Sequence, residues 1–385
     1  MPWVHLHADT TGKVKACCST SVTYGDLAHQ SVSDIWEGES IKAFRQQVLV
    51  QGVDRRCSSC LHREQAGKES MRTETIAKYP ELSRQIVNEQ TVTSQLKPVY
   101  LDIRFSNVCN LRCRTCWHGA SSSWFEEGKQ LNNTAGNQAI IRATTNNRQL
   151  VTDVMNYCEA IDEVYFAGGE PLMMEEHYQL LDSLLATKQQ PLIRYNTNLS
   201  LLQRKTYDAC DYWRQFDHVK VSVSIDELAQ RGEYVRKGLK WELLLKNIEQ
   251  VQVKCPHVAI EIAPTVSVFN VARLGEVHRY FVDRQIIAVS NIYLNVLDRP
   301  SAYNIVHLDE GAKREAKEHL TAHIAWLASV GADVTLIDEF KSLIEYMYAR
   351  VANPKFQQHF AQMTQQLDGM RKEDYTAIFE KSFQK

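Results

Sequence analysis

Cys109, Cys113 and Cys116 stand in the run Ser106-Asn107-Val108-Cys109-Asn110-Leu111-Arg112-Cys113-Arg114-Thr115-Cys116-Trp117, separated by three residues and then two. Thiolates are soft ligands, and three on one short loop can hold three irons of a cubane [4Fe–4S] cluster. The fourth iron then has no protein ligand, and an open coordination position is what chemistry at a metal requires. Zinc is the competing reading, with four protein ligands in a structural site and His118 available as one of them. A second group comprises Cys17, Cys18, Cys57 and Cys60. Cys57, Cys60 and Cys17 read as ligands of one further metal site. Its fourth position is open to Cys18, His5, His7 or the substrate, since adjacent cysteines rarely reach the same cluster. A zinc knuckle that stabilises a small, core-poor module is the alternative there. Cys158, Cys210 and Cys255 are single, lie in or beside helical patterns, and read as small buried hydrophobes.

The elements that position these groups repeat along the chain. Val99–Phe105, Glu163–Ala167, Leu192–Asn196, His218–Ser224, His257–Thr265 and Asn291–Leu297 read as six strands separated by helices. The clearest helix is Lys240–Lys254, where Trp241, Leu244, Leu245, Ile248 and Val251 recur at helical spacing. Strand–helix alternation repeated in this way implies a parallel sheet, hence an α/β class and a full or partial β/α barrel. Val219, Val221, Val223 and Ile225 alternate with Lys220, Ser222, Ser224 and Asp226, and Val258, Ile260 and Ile262 alternate with Ala259, Glu261 and Ala263. The apolar face packs under helices, and the polar one turns to an interior that is open for a ligand. Arg104, Glu261 and Asn295 are candidates to face it. The triplet leaves the carboxyl end of the first strand, where barrel active sites gather. The second strand ends in Gly168-Gly169-Glu170-Pro171: two glycines admit a ligand to the backbone, and the carboxylate beside them can receive an ammonium.

Four segments result. Residues 1–72 form a turn-rich, cysteine-rich module with a short helix near Ser33–Gln47, 73–97 a polar linker, 98–300 the partial barrel, and 301–385 a helical extension with patterns at Glu315–Leu327, Ile337–Arg350 and Phe356–Arg371. At 385 residues the chain exceeds the roughly 250–300 at which single cores stop growing. Its formal net charge of -2 offers no global field for nucleic acid or an anionic membrane. No apolar run approaches the ~20 residues of a membrane span. The N-terminus lacks a secretory signal, so a cytoplasmic location is expected, where clustered thiols hold metals and not disulfides.

The triplet, Gly168-Gly169-Glu170-Pro171, Asn196-Thr197-Asn198, Ser222–Asp226 and Thr265–Asn270 together resemble the radical S-adenosylmethionine (radical SAM) superfamily across nearly the whole chain. The resemblance implies a partial (β/α)6 barrel on which the SAM amino and carboxylate groups chelate the unique iron. The reduced cluster then breaks the sulfonium bond, and a 5′-deoxyadenosyl radical abstracts hydrogen from substrate. It assigns the SAM amino group to Glu170 with the Gly168–Gly169 backbone, the ribose to Ser224 and Asp226, and the carboxylate to Arg236. Asn196 joins this set, and Thr265, Ser267 and Asn270 line the adenosine. Thr115 departs from the aromatic residue that many members place before the third cysteine; Trp117 is a substitute. Gly12–Cys18, Ser33-Asp34-Ile35-Trp36 and Cys57-Ser58-Ser59-Cys60 resemble a twitch or SPASM auxiliary-cluster module, here ahead of the barrel and with cysteines for one cluster only. Such an auxiliary [4Fe–4S] cluster would accept an electron or anchor the substrate, a peptide or a small metabolite, with a flavodoxin- or ferredoxin-type reductant. A zinc-stabilised scaffold without catalysis and a radical SAM nucleic-acid modifier remain the other classes, the latter disfavoured by the lack of a basic patch with interleaved aromatics.

Overall fold

A computed structural model describes residues 1–65, 69–89 and 97–379. The chain divides into two compact units: Met1–Cys109, Ile140–Tyr195 and Asp211–Val219 form the first; Asn110–Ala139, Asn196–Cys210 and Lys220–Lys385 form the second.

Unit 1 is built on β1 (His5–Ala8), β2 (Lys13–Lys15), β3 (Thr23–Asp26), β4 (Tyr100–Ile103), β5 (Glu163–Phe166) and β6 (Leu192–Thr197), in the spatial order β6-β5-β4-β1-β2-β3. The pairs β1·β4, β4·β5 and β5·β6 are parallel, while β1·β2 and β2·β3 are antiparallel. Period-two alternation sorts the side chains. Leu6, Leu101, Val164 and Ile193 are buried together on one face. His7, Asp102, Tyr165 and Arg194 occupy matching register positions on the other. Each fully buried aliphatic contributes about 1.5–3 kcal/mol, so the apolar face holds the sheet and leaves the polar face for function.

The N-terminal segment therefore differs from a separate turn-rich module: β1 lies in the same sheet as the barrel strands, in register with β4 from His5↔Tyr100 to Ala8↔Ile103. Residues 73–97 differ from a linker as well. Helices Met71–Lys78 and Pro80–Glu89 cover most of it, while 90–96 lies outside the described residues. Ser70 and Thr73 close a reciprocal cap on the first helix, and proline starts the second, where its missing N–H costs nothing.

In unit 2, β7 (Val219–Val223, its first residue in unit 1) runs parallel to β8 (Ala259–Ile262), with Ser222 opposite Glu261. Helix Trp241–Lys254 buries Trp241, Leu244, Ile248 and Val251, the face its spacing foretold. The sixth expected strand shrinks to Asn295–Val296, parallel to Thr265–Val266. Its start pairs with β8 through a single bridge, Ile292 opposite Ile262, where the Ile262 N–H donates to the Asn291 carbonyl at 3.1 Å and the Tyr293 N–H to the Ile262 carbonyl at 2.9 Å. Three long helices follow, Glu310–Ser329, Val334–Tyr348 and Pro354–Arg371, as the C-terminal periodicity implies. Among the described residues no helix is long and apolar enough to cross a membrane.

Candidate active site

The Gly-Gly-Glu turn grows out of β5. Gly168 and Gly169 have φ of +78° and +55°, the left-handed region that glycine enters without steric cost. A Cβ on Gly169 would meet the Val108 carbonyl oxygen at 2.4 Å, and the Glu170 N–H donates to that same carbonyl at 2.7 Å. The turn is thus packed against the residue preceding Cys109. Glu170 is buried, and its carboxylate accepts from the Leu172 N–H at 3.1 Å, which fixes its rotamer. Gly169→Ala is expected to cost about 1–3 kcal/mol through forced φ and backbone collision. A lowered unfolding midpoint measures it; an unchanged midpoint would mean that the turn has room to relax.

Cys109 ends unit 1, and Cys113 and Cys116 belong to unit 2. Around Cys113 the backbone is tightly held. The two-residue strand Arg112–Cys113 pairs antiparallel with Arg236–Lys237, and the Trp124 indole N–H donates to the Cys113 carbonyl at 2.9 Å. Arg236 is buried. Its Nη2 donates to Asp226 Oδ1 at 2.9 Å, its Nε lies 2.9 Å from Asp226 Oδ2, and its Nη1 reaches Cys113 Sγ at 3.8 Å. Burial pushes the Cys113 thiol above its ordinary pKa, while the guanidinium opposes that shift. Asp226 also accepts from the Thr265 N–H at 2.7 Å. Asn270, buried, donates to the carbonyls of Asp226 and Thr265 and accepts from the Ser267 N–H. The Ser224 hydroxyl donates to Asn196 Oδ1 at 2.9 Å. Asp226, Arg236, Thr265 and Asn270 thus form one connected network, with Ser224 and Asn196 as a separate pair. Glu261 accepts from the Ser222 hydroxyl and pairs with Lys220 at 2.6 Å, whereas Asn295 is exposed. Trp117 is 46% exposed, leaving a ring face available beside Cys116.

His118 does not serve the zinc reading. Its Nε2 lies 2.9 Å from the Ala139 carbonyl and its Nδ1 accepts from the Ala135 N–H at 3.1 Å, so both ring nitrogens are committed to backbone. All ten cysteines are free of disulfides. Three thiols outside any disulfide, with no fourth donor from His118, are the donor set that an open-cornered cubane needs.

In unit 1, Cys17 is buried on the loop after β2 and lies within electrostatic range of Cys57 and Cys60, which sit at the start of helix Ser58–Gln65. Burial pushes its thiol up to about 12. Cys18 is exposed and 3.7 Å from the Ser19 hydroxyl. His7 Nδ1 is 2.8 Å from Asp102 Oδ2, and the Arg104 guanidinium lies 3.3–3.4 Å from the same carboxylate. His5 stacks on Tyr100 at 4.3 Å, and burial lowers its pKa to about 3. Donor atoms of His5, His7 and Asp102 lie within 4.8 Å of one another, a spacing that suits a cation. Arg104 already supplies that positive charge, so the cluster is a charge-balanced network. Sequence reasoning missed Asp102 and His7 as a pair; the alternation of Asp102 and Arg104 with Leu101 and Ile103 was the available signal.

The radical SAM superfamily matches residues 103–263, and the iron-sulfur cluster-binding domain SPASM matches residues 1–61. No curated protein matches the chain. Among solved structures, "Native anSMEcpe with bound AdoMet" is 18% identical, covering 61% of this chain and 63% of that one, with a TM-score of 0.43. The crystal structure of Streptococcus suis SuiB is 13% identical, covering 77% of this chain and 64% of that one, with a TM-score of 0.41. The chain spans 56–63% of the length of the anSMEcpe chains it matches. Each cysteine group except Cys109, Cys113 and Cys116 and the three core thiols falls in the SPASM match, and the triplet itself opens the radical SAM match. Residues 103–263 therefore carry a radical SAM domain, which implies an enzyme with a [4Fe–4S] cluster and SAM as cofactors, and residues 1–61 carry an iron–sulfur cluster-binding domain.

Proposed function

We propose that Cys109, Cys113 and Cys116 hold a [4Fe–4S] cluster on which SAM is cleaved to abstract hydrogen from an unactivated C–H bond of a peptide or small metabolite. Bound there, cluster and SAM together supply an electron, a broken sulfonium bond and a 5′-deoxyadenosyl radical. The chain's own residues orient and exclude. Glu170 and the Gly168–Gly169 backbone take the SAM amino group. Ser224, held by Asn196, meets the ribose. Asp226 keeps Arg236 directed at the SAM carboxylate side, and Thr265 and Asn270 shape the adenosine wall through their bonds to Asp226. The observation that carries the reading is the setting of Cys113: a fixed backbone, a guanidinium 3.8 Å from the sulfur, and a His118 unavailable to zinc. Cys17, Cys57 and Cys60, with Cys18 as the remaining thiol, hold an auxiliary cluster that accepts an electron or anchors the substrate. These thiols lie in residues 1–72, whose first strand joins the sheet of the barrel segment 98–300, and 301–385 is a helical extension. A flavodoxin- or ferredoxin-type protein in the cytoplasm is the proposed reductant.

Anaerobic reconstitution with iron and sulfide tests this. About eight irons per chain are expected for two cubanes, falling to about four in Cys60→Ser. Stoichiometric zinc without an absorption band near ~400 nm would sink the enzyme reading.

A further inference from the structure

The C-terminal helix Pro354–Arg371 ends among the residues that flank Cys113, and all the contacts lie inside unit 2. Arg114 is buried, with its guanidinium on Asp368 and, at 2.8 Å, on Glu373. It lies 3.7 Å from the centre of the Tyr234 ring, and the Tyr234 hydroxyl itself donates to Asp368 at 2.9 Å. Glu373 also receives Lys237 at 2.8 Å, the residue paired across the strands with Arg112. On the other side, Arg371 Nη2 donates to the Arg112 carbonyl at 2.8 Å and to Glu127 at 2.7 Å. Glu127 in turn binds Arg112 Nη1 at 2.8 Å. The Arg371 guanidinium sits 5.2 Å from the Trp124 ring centre, and it is Trp124 that holds the Cys113 carbonyl. Residues 112, 113 and 114 are thus each tied, directly or through one side chain, to the last turn of this helix.

We infer that this helix end braces the middle cysteine of the cluster loop and sets the charge around it, with Asp368 and Arg371 as positioning residues. The inference rests on Cys113 being a cluster ligand. Two physical effects follow. Groups that fix a ligand's backbone and neighbours govern how tightly the metal is held, and losing one typically costs about 10–100-fold in affinity. Buried charges near a cluster shift its potential, because a nearby anion opposes the added electron and a nearby cation favours it. Asp368 and Arg371 carry opposite charges and reach the loop through the residues on either side of Cys113, Arg114 and Arg112, so their removal has opposite consequences. A helix that served only as scaffold would have no such sign.

The test uses the full chain in a Cys57→Ser/Cys60→Ser background, reconstituted without oxygen so that the triplet's cluster is seen alone. EPR-monitored reductive titration and the rate of iron loss to a chelator are compared for this parent, Asp368→Asn, Asp368→Glu and Arg371→Gln, with the unfolding midpoint of each unloaded chain alongside. Asp368→Asn is expected to titrate at a less negative potential and to lose iron about 10-fold faster or more. Arg371→Gln should move the potential the other way, and Asp368→Glu should restore the parent's value. If Asp368→Asn does not fold, the Arg371→Gln shift decides. Parent-like potentials in the folded variants, with changes confined to the unfolding midpoint, would overturn the inference. A parent that holds no iron at the triplet would instead bring down the site reading beneath it.

Discussion

Cys113→Ala abolishes 5′-deoxyadenosine formation from SAM while leaving the fold intact. The argument has two parts. The position of residue 113 does not depend on its sulfur, because the backbone pairs with Arg236, and the Trp124 indole holds the carbonyl. The thiol is also half-buried and not part of the apolar core, so removing it opens no large cavity. Chemistry is a different matter. Losing an outer partner of a metal ligand costs roughly 10–100-fold, and losing the ligand itself costs more. The expected outcome is product at background level, more than ~100-fold below the parent, with an unchanged unfolding midpoint for the unloaded chain. Cys116→Ala should behave alike, whereas Cys158→Ala should retain full product formation. Parent-like product from Cys113→Ala would remove the triplet from the mechanism.

Acidification from pH 7 to pH 5 destabilises the unloaded chain by several kcal/mol through histidines buried away from both cysteine groups. His177 is fully buried against Phe166, Tyr178 and Tyr195, and burial alone lowers its pKa to about 3. His278 and His323 are buried as a pair, 3.1 Å apart, and desolvation holds both well below the ordinary imidazole value. Each is neutral in the folded chain at pH 5, whereas the unfolded chain takes up a proton near pH 6.5. The unfolded state therefore binds more protons across this window, so stability rises with pH and falls on acidification. Between pH 7 and pH 5 that amounts to about 2 kcal/mol for each histidine. The unfolding midpoint against pH checks the sum, and His177→Phe, which keeps the ring volume without the titration, should remove about a quarter of the histidine contribution, because buried His5 adds a like share. A midpoint that stays level from pH 7 to pH 5 would contradict the buried neutral assignment.

Features encoded locally were legible in the sequence. The Val219, Val221, Val223 alternation gave β7, and the spacing of Trp241, Leu244, Ile248 and Val251 gave its helix within a residue of its start. The triplet was visible because its three cysteines lie close together in sequence, and the turn at Gly168–Gly169 because only glycine tolerates φ of +78° and +55° there without strain. What escaped depended on distance along the chain. Four residues with two histidines, His5–Ala8, become a strand only through parallel pairing with Tyr100–Ile103, 95 residues on at His7 and Asp102. Helices Met71–Lys78 and Pro80–Glu89 are short and mostly exposed, and the second offers only the brief stripe of Leu82 and Ile86, which packs with Trp3 and Val4 from the far end of the segment. Arg114 and Asp368 are separated by 254 positions, and nothing local marks the ion pair. Arg236 read as a free cation for a ligand; its pairing with Asp226 emerges only when Arg236–Lys237 lies against Arg112–Cys113.

The claim that three thiolates leave one iron open for SAM is tested most directly by EPR on the reduced Cys57→Ser/Cys60→Ser chain before and after SAM is added. A changed cluster spectrum, with hyperfine coupling to nitrogen-labelled SAM, is the predicted result. An iron-loaded chain whose spectrum is identical with and without SAM would contradict it.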